Sequence, residues 1–120
     1  LTEPGSSQPD IARGSIVLVA AMLDPHGRNP KDRPCVVVTE PGDAPEGFHA
    51  VVAISTIVPD PLPEDYVLLP WHPRRHPKTG LDKRNAAIGR WVEVVDSSRI
   101  IRKVGVVPDA QLMALAVVLD

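Results

Sequence analysis

The sequence predicts a mainly β protein, a small β-barrel closed by a C-terminal helix. Three observations carry that expectation. Short β-branched runs recur between clusters of Pro and Gly, as in an all-β barrel or sandwich. Hydrophobic residues make up 43% of the 120 residues but aromatics only 3%, so Val, Ile, Leu and Ala must build the core. Only after Pro108 does the apolar period change, with Leu112, Leu115, Ala116 and Leu119 at helical spacing. A chain of this length suits one domain with a core of its own.

The elements follow in order. Residues 1–13 read as a disordered tail, Pro/Gly/Ser-rich through Asp10, and residues 14–120 as the folded domain. Gly14-Ser15 opens a first strand, Ile16 to Met22, whose unbroken apolar run suits burial on both faces. Asp24 to Asp32 is a loop carrying Pro25, Gly27 and Pro30. Arg33 and Pro34 lead into a second strand, Cys35 to Thr39. Proline is tolerated at the first residue of a strand, and it holds Arg33 extended just outside the sheet.

After a Pro/Gly loop from Pro41 to Gly47, His49 to Ile57 forms a third strand, which includes the adjacent hydroxyls of Ser55 and Thr56. A link with Pro59, Pro61 and Pro63 leads to Tyr66–Leu69, a short edge strand. Trp71 to Asn85 is a long loop broken by Pro73, Pro77 and Gly80. Ala86 to Val95 is another strand, and Arg99 to Lys103 either a strand end or a helical turn. Pro108 is pre-set for a helix start, and Asp109 complements the helix dipole in its first turn. Met113, Val117 and Val118 widen the helix's apolar surface beyond one stripe. The barrel would cover one side and a second subunit the other, so a homodimer is expected.

Composition excludes several classes. No apolar run approaches the ~20 residues a membrane helix needs, and no signal peptide is evident. The single Cys35 has no intrachain partner and lies in a strand pattern, as a buried reduced thiol of a cytoplasmic protein would. The net charge of −2 argues against a general nucleic-acid coat. Charge is segregated, however. No Lys or Arg occurs between Pro34 and Pro73, whereas Arg74, Arg75, Lys78, Lys83, Arg84 and Arg90 then face only Asp82. Arg28, Lys31 and Arg33 form a second basic group beside Asp32. This pattern fits either a local anion groove or a solvated loop.

Arg33 and Ser55 are the candidate site. A guanidinium at one strand's entrance and a hydroxyl at its neighbour's exit would meet if the two strands run antiparallel, and together they suit a phosphoryl group. The competing roles are structural: an ion pair of Arg33 with Asp32 or Glu40, and a strand-end hydrogen bond from Ser55 to backbone. Trp71 could stack on a nucleic-acid base or plug the core. His72 and His76 have a metal-ligand spacing, but Pro73 and Pro77 oppose the helix that would present it, so no metal site is expected. Either imidazole could instead act as acid or base.

The order of Gly14-Ser15-Ile16-Val17-Leu18-Val19, Arg33-Pro34-Cys35-Val36-Val37-Val38-Thr39, Val52-Ala53-Ile54-Ser55-Thr56, Gly80-Leu81 and Arg99-Ile100-Ile101-Arg102-Lys103-Val104-Gly105 resembles the MazF/PemK-like toxins of bacterial toxin–antitoxin systems. The resemblance covers almost everything after residue 13. It implies an SH3-like barrel, a homodimer, cleavage of single-stranded RNA without metal or other cofactor, and inhibition by an antitoxin. Arg33 matches the family's catalytic arginine. Ser55 lies where the family usually has a threonine, with Thr56 the adjacent alternative. Arg28, Lys31, Trp71, Arg74, Arg75, Lys78, Lys83 and Arg84 are the expected RNA-binding residues.

The chain departs from the pattern at three places. Pro25-His26-Gly27-Arg28-Asn29 stands where a Gly-Ser-Glu element is usual. Asn85 replaces a small Ser or Cys, and an Asp-Gln pair is missing near Gly89-Arg90. Cleavage without metal would use the ribose 2′-OH as nucleophile, so RNA would be cut and DNA spared. Charge building on the phosphate is what an arginine at Arg33 would offset. Two readings from other classes stand beside the ribonuclease: a catalytically silent SH3-like barrel that binds a peptide or nucleic acid, and a gyrase-directed protein toxin.

Overall fold

The computed structural model describes residues 11–40 and 42–120. It contains β1 (Ser15–Met22), β2 (Lys31–Val37), β3 (Phe48–Ser55), β4 (Tyr66–Leu68), β5 (Ala86–Asp96), a 3-10 turn (Ser97–Arg99), β6 (Ile100–Val106) and α1 (Asp109–Leu119). The strands form one antiparallel sheet in the order β4-β5-β3-β2-β1-β6. The expected tail lies outside the described residues up to Asp10. Beyond it, Ile11 packs against the core and the Ala12 N–H donates to Ser15 Oγ at 3.1 Å.

Alternation along β1, β2 and β3 buries both faces of the sheet. Ile16, Val36, Val52 and Ile54 join one cluster, which α1 covers with Leu112, Leu115, Val118 and Leu119. Val17, Val19, Cys35, Val37, Val51 and Ala53 point the other way, into a second cluster with Met22 and Val95. Burial on both faces is why these strands read as continuous apolar runs. Leu115 is fully buried, a gain of about 2 kcal/mol over an exposed leucine. The large hydrophobic residues that α1 leaves exposed are Met113 and Val117, 70% and 75% exposed. Among the described residues no helix is long and apolar enough to cross a membrane.

Two expectations are corrected here. Among the described residues the strand ladder does not close into a barrel, because β4 and β6 end the order and do not pair with each other. The connection from β4 to β5 lies along the β6 edge instead, and the Val106 N–H donates to Lys78 O at 2.8 Å. Arg33 is also inside the sheet rather than outside it. β2 begins at Lys31, and Arg33 stands opposite Val19 of β1. β3 pairs with β2 only from Cys35 onward, so Pro34 lies where no β3 partner follows in register.

The segment around Gly80 and β6 meet backbone to backbone. A Cβ added to Gly105 would collide with Thr79 O, and one added to Gly80 would collide with Val104 O. Gly80 also has φ +73°, a conformation that glycine adopts without a steric cost. Thr79 fastens the approach from the other side: it is fully buried, donates from Oγ1 to Pro70 O at 2.8 Å and accepts from the Leu81 N–H at 3.2 Å. Gly105→Ala should therefore lower the unfolding free energy by about 1–3 kcal/mol through overpacking against a carbonyl that cannot rotate away. Urea unfolding checks this, and an unchanged midpoint would contradict the close approach.

Candidate functional site: an arginine cleft

The antiparallel pairing of β2 with β3, Cys35 opposite Ala53, puts the start of one strand beside the end of the other. A cleft of about 260 Å³ opens there, lined by Lys31, Asp32, Arg33, Pro34, Ile54, Ser55, Thr56 and Ile57. Arg33 and both candidate hydroxyls thus line one cavity, with Lys31 beside them. On its other edge β3 pairs with β5, where Ser55 is in register with Ala86. Lys83 and Arg84 stand just before that residue, both exposed.

The Arg33 guanidinium is held from three sides. Its Nε donates to Met22 O at 3.2 Å and its Nη2 to Asn29 O at 3.0 Å. Its Cζ lies 5.1 Å from the centroid of the Trp91 ring. A guanidinium carries five N–H donors, so three remain for a ligand. Among the described residues no carboxylate lies within ion-pair distance of Arg33, and neither Asp32 nor Glu40 takes it up. Asp32 Oδ1 instead accepts the Ala21 N–H at 3.2 Å.

Ser55 is less free. Its Oγ accepts the Ile57 N–H at 3.0 Å, fixing the turn that ends β3. Thr56 is exposed, and no hydrogen bond holds its hydroxyl among the described residues. Cys35 lies behind the cleft with its thiol pushed up to about 12, chiefly by burial and next by the Glu93 charge. Such a thiol is not a nucleophile near neutral pH.

The loop between β1 and β2 takes its shape from Asp24. Its Oδ1 accepts the N–H groups of His26 and Arg28, both at 2.9 Å, and its Oδ2 accepts Asn29 Nδ2 at 2.8 Å. The Arg28 amide, followed by the Asn29 side chain, holds the Asp24 carboxyl below the ordinary aspartate range. This loop supplies the Asn29 carbonyl that Arg33 uses. A second cleft, about 300 Å³, lies between the loop and β5, lined by Leu23, Asp24, Pro25, Gly27, Arg90, Trp91, Val92 and Glu93. The Arg28 side chain is exposed beside it in sequence.

The remaining expected residues are dispersed. Trp71, Arg74, Arg75 and Lys78 are exposed on the long connection, and Trp71 at 42% exposure is no core plug. Lys78 is tied to Val106, at the far end of β6 from Ile100, whose partner Val19 also faces Arg33. The basic run is therefore not one patch around the cleft. His72 Nδ1 accepts the Arg74 N–H at 3.0 Å, and His76 Nδ1 accepts the N–H groups of Lys78 and Thr79 at 3.1 and 3.2 Å. These imidazoles act as turn caps. Among the described residues no group of three His, Cys, Asp or Glu converges to hold a metal. A further cleft, about 500 Å³, is lined by Glu40, Glu46 and neighbours from the β2–β3 connection. It lies at the opposite end of the sheet, and its two carboxylates would repel a phosphate.

Sequence reasoning missed Trp91, Glu93 and Arg99. Arg99 donates to Glu93 Oε2 at 2.7 Å and from Nη2 to Ala20 O and Ala21 O at 3.1 and 3.4 Å. The period of two along Trp91, Glu93 and Val95 was the available signal for a shared face. Nothing local marks Arg99 as reaching a chain segment 79 residues away.

No protein-family model and no curated protein sequence matches the chain. Solved structures match it in fold. MazF from Deinococcus radiodurans superposes with TM-score 0.71 at 15% identity, over 91% of this chain and 92% of that one. An endoribonuclease from a mycobacterial species gives 0.66 at 12% identity, over 94% and 90%. A mycobacterial endoribonuclease in complex with its cognate antitoxin gives 0.62 at 14% identity, over 91% and 88%. The chain therefore has the MazF toxin fold, a six-stranded antiparallel sheet with a C-terminal helix.

Proposed function

We propose that this protein is a toxin-type endoribonuclease that cleaves single-stranded RNA without a metal ion and is restrained by an antitoxin. One observation carries the reading: the cleft presents an arginine with three unused donors and no carboxylate partner, beside Lys31, Ser55 and Thr56. A half-buried cation with open donors is suited to a phosphodiester. The shared fold with structures described as endoribonucleases, one bound to its cognate antitoxin, supports the same reading.

In this mechanism the ribose 2′-oxygen gives its proton to water as it attacks the adjacent phosphorus, and the 5′-oxygen of the next nucleotide leaves, taking a proton from water. The products are a cyclic phosphate and a 5′-hydroxyl. Negative charge grows on the non-bridging oxygens, where the Arg33 fork donates two parallel hydrogen bonds. Thr56 hydrogen-bonds the phosphate, while Ser55 keeps the turn that presents it. Lys31, Lys83 and Arg84 hold the strand's backbone nearest the cleft; Arg28, Trp71, Arg74, Arg75 and Lys78 extend the path electrostatically and by stacking.

The protein works as a homodimer, with Met113 and Val117 of α1 in the interface. Sedimentation at micromolar concentration should give a dimer, and Met113→Lys with Val117→Lys a folded monomer. A wild-type monomer would refute the assembly, and a dimeric double variant would move its interface elsewhere.

For the activity, Arg33→Ala should lower RNA cleavage by about 10²-fold or more, the range for losing one charge-stabilising donor. Arg33→Lys should rescue poorly, because an ammonium lacks the planar fork. Equal cleavage by wild type and Arg33→Ala on the same purified RNA would remove the cleft from the mechanism.

A further inference from the structure

We infer that Trp91 is a positioning residue for Arg33, brought over the guanidinium by a bulge in β5; the inference rests on the ribonuclease reading of the cleft. Register defines the bulge. Val52 of β3 pairs with Val92 of β5, and Ile54 pairs with Ala87. Between those pairs β3 contributes only Ala53, whereas β5 contributes Ile88, Gly89, Arg90 and Trp91. An excess of this kind bends a strand and re-aims its side chains, and bulges concentrate beside functional sites. Here Trp91 packs against the cluster that contains Cys35 and Ala53, the face from which Arg33 projects.

The contact also separates two cavities. Arg33 lines the cleft with Ser55 and Thr56, and Trp91 lines the cleft beneath the β1–β2 loop. The carbonyls of Met22 and Asn29 fix the guanidinium along two N–H directions, but two hydrogen bonds leave it free to tilt about the line joining them. The ring face limits that tilt by attraction to the cation and by steric contact. A fork meant for two phosphate oxygens loses most of its value when it rocks, since geometry a fraction of an ångström off is costly to a transition state. Trp91 therefore acts on the orientation of the remaining donors.

The test uses the full chain with Trp91→Leu, Trp91→Phe, Arg33→Ala and the combined Arg33→Ala/Trp91→Leu variant. Two activities are read: single-turnover cleavage of one RNA, and affinity for its uncleavable 2′-O-methyl analogue. Trp91→Leu should slow cleavage by about tenfold or more while changing affinity by less than about twofold. Trp91→Phe should recover most of the rate, and Trp91→Leu should add nothing once Arg33 is alanine. An unchanged rate in Trp91→Leu overturns the proposal. So does an affinity loss equal to the rate loss, which would make Trp91 a base-stacking platform, or a further full loss in the Arg33→Ala background.

A second readout needs no activity. The Arg33 Nε–H proton resonance of the wild type should be displaced upfield by the ring, and Trp91→Leu but not Trp91→Phe should abolish the displacement. Absence of the displacement in the wild type overturns the proposal even if the variants fold poorly. A displaced wild-type resonance that responds to inorganic phosphate, in a protein that cuts no RNA, would sink the ribonuclease and leave the positioning role standing.

Discussion

Three consecutive carbonyls at the end of β1 hold the site together. Ala21 has φ 52°, a left-handed conformation that costs a residue with a Cβ about 1–2 kcal/mol. It breaks the regular pairing of β1 between Val19 and Met22, leaving residues 20 and 21 out of register before Met22 pairs with Lys31. Charged side chains then meet the backbone here. Arg99 takes Ala20 O and Ala21 O, Arg33 takes Met22 O, and Asp32 accepts the Ala21 N–H. Strained backbone persists where its surroundings over-determine it. Here the arginine of the cleft is one of the groups that do so, and the kink in turn fixes where that arginine can point.

The rest of the fold serves this arrangement. Burial on both faces makes β1, β2 and β3 a rigid base, and α1 covers one side of it. The close approach of the Gly80 segment to β6 ties the long connection to the sheet without a strand pairing. The Glu93–Arg99 pair, with both side chains about one-third exposed, is worth little as a surface ion pair, and its value lies in holding Arg99 against β1. Burial raises the Cys35 thiol and keeps it protonated near neutral pH.

Much of this was legible in the sequence because it depends on local pattern. The apolar runs gave β1 and β3, the isolated Tyr66-Val67-Leu68 gave the edge strand, and Pro108-Asp109 gave the start of α1. Antiparallel neighbours brought Arg33, Ser55 and Thr56 to one cleft, as the order of the motifs requires. The start of β2 was missed because Lys31 and Asp32 look like loop residues. A strand end paired on one side only can carry them. A closed ladder was expected and is not found, because alternation says which face is buried and nothing about whether two edges meet. Arg99 was missed because a contact across 79 residues leaves no local trace, and Trp91 because a period of two marks its face but not the bulge that carries it over Arg33.

The central claim is that the ribose 2′-OH is the nucleophile and Arg33, not a metal ion, stabilises the charge that follows. The most direct measurement compares one synthetic RNA with the same strand bearing a single 2′-deoxy nucleotide at the cleaved position, both in excess chelator. The account predicts that the parent is cut to a fragment ending in a cyclic phosphate and that the 2′-deoxy strand stays intact. Equal cutting of both strands, or cutting of the parent only after a divalent metal is restored, would contradict it.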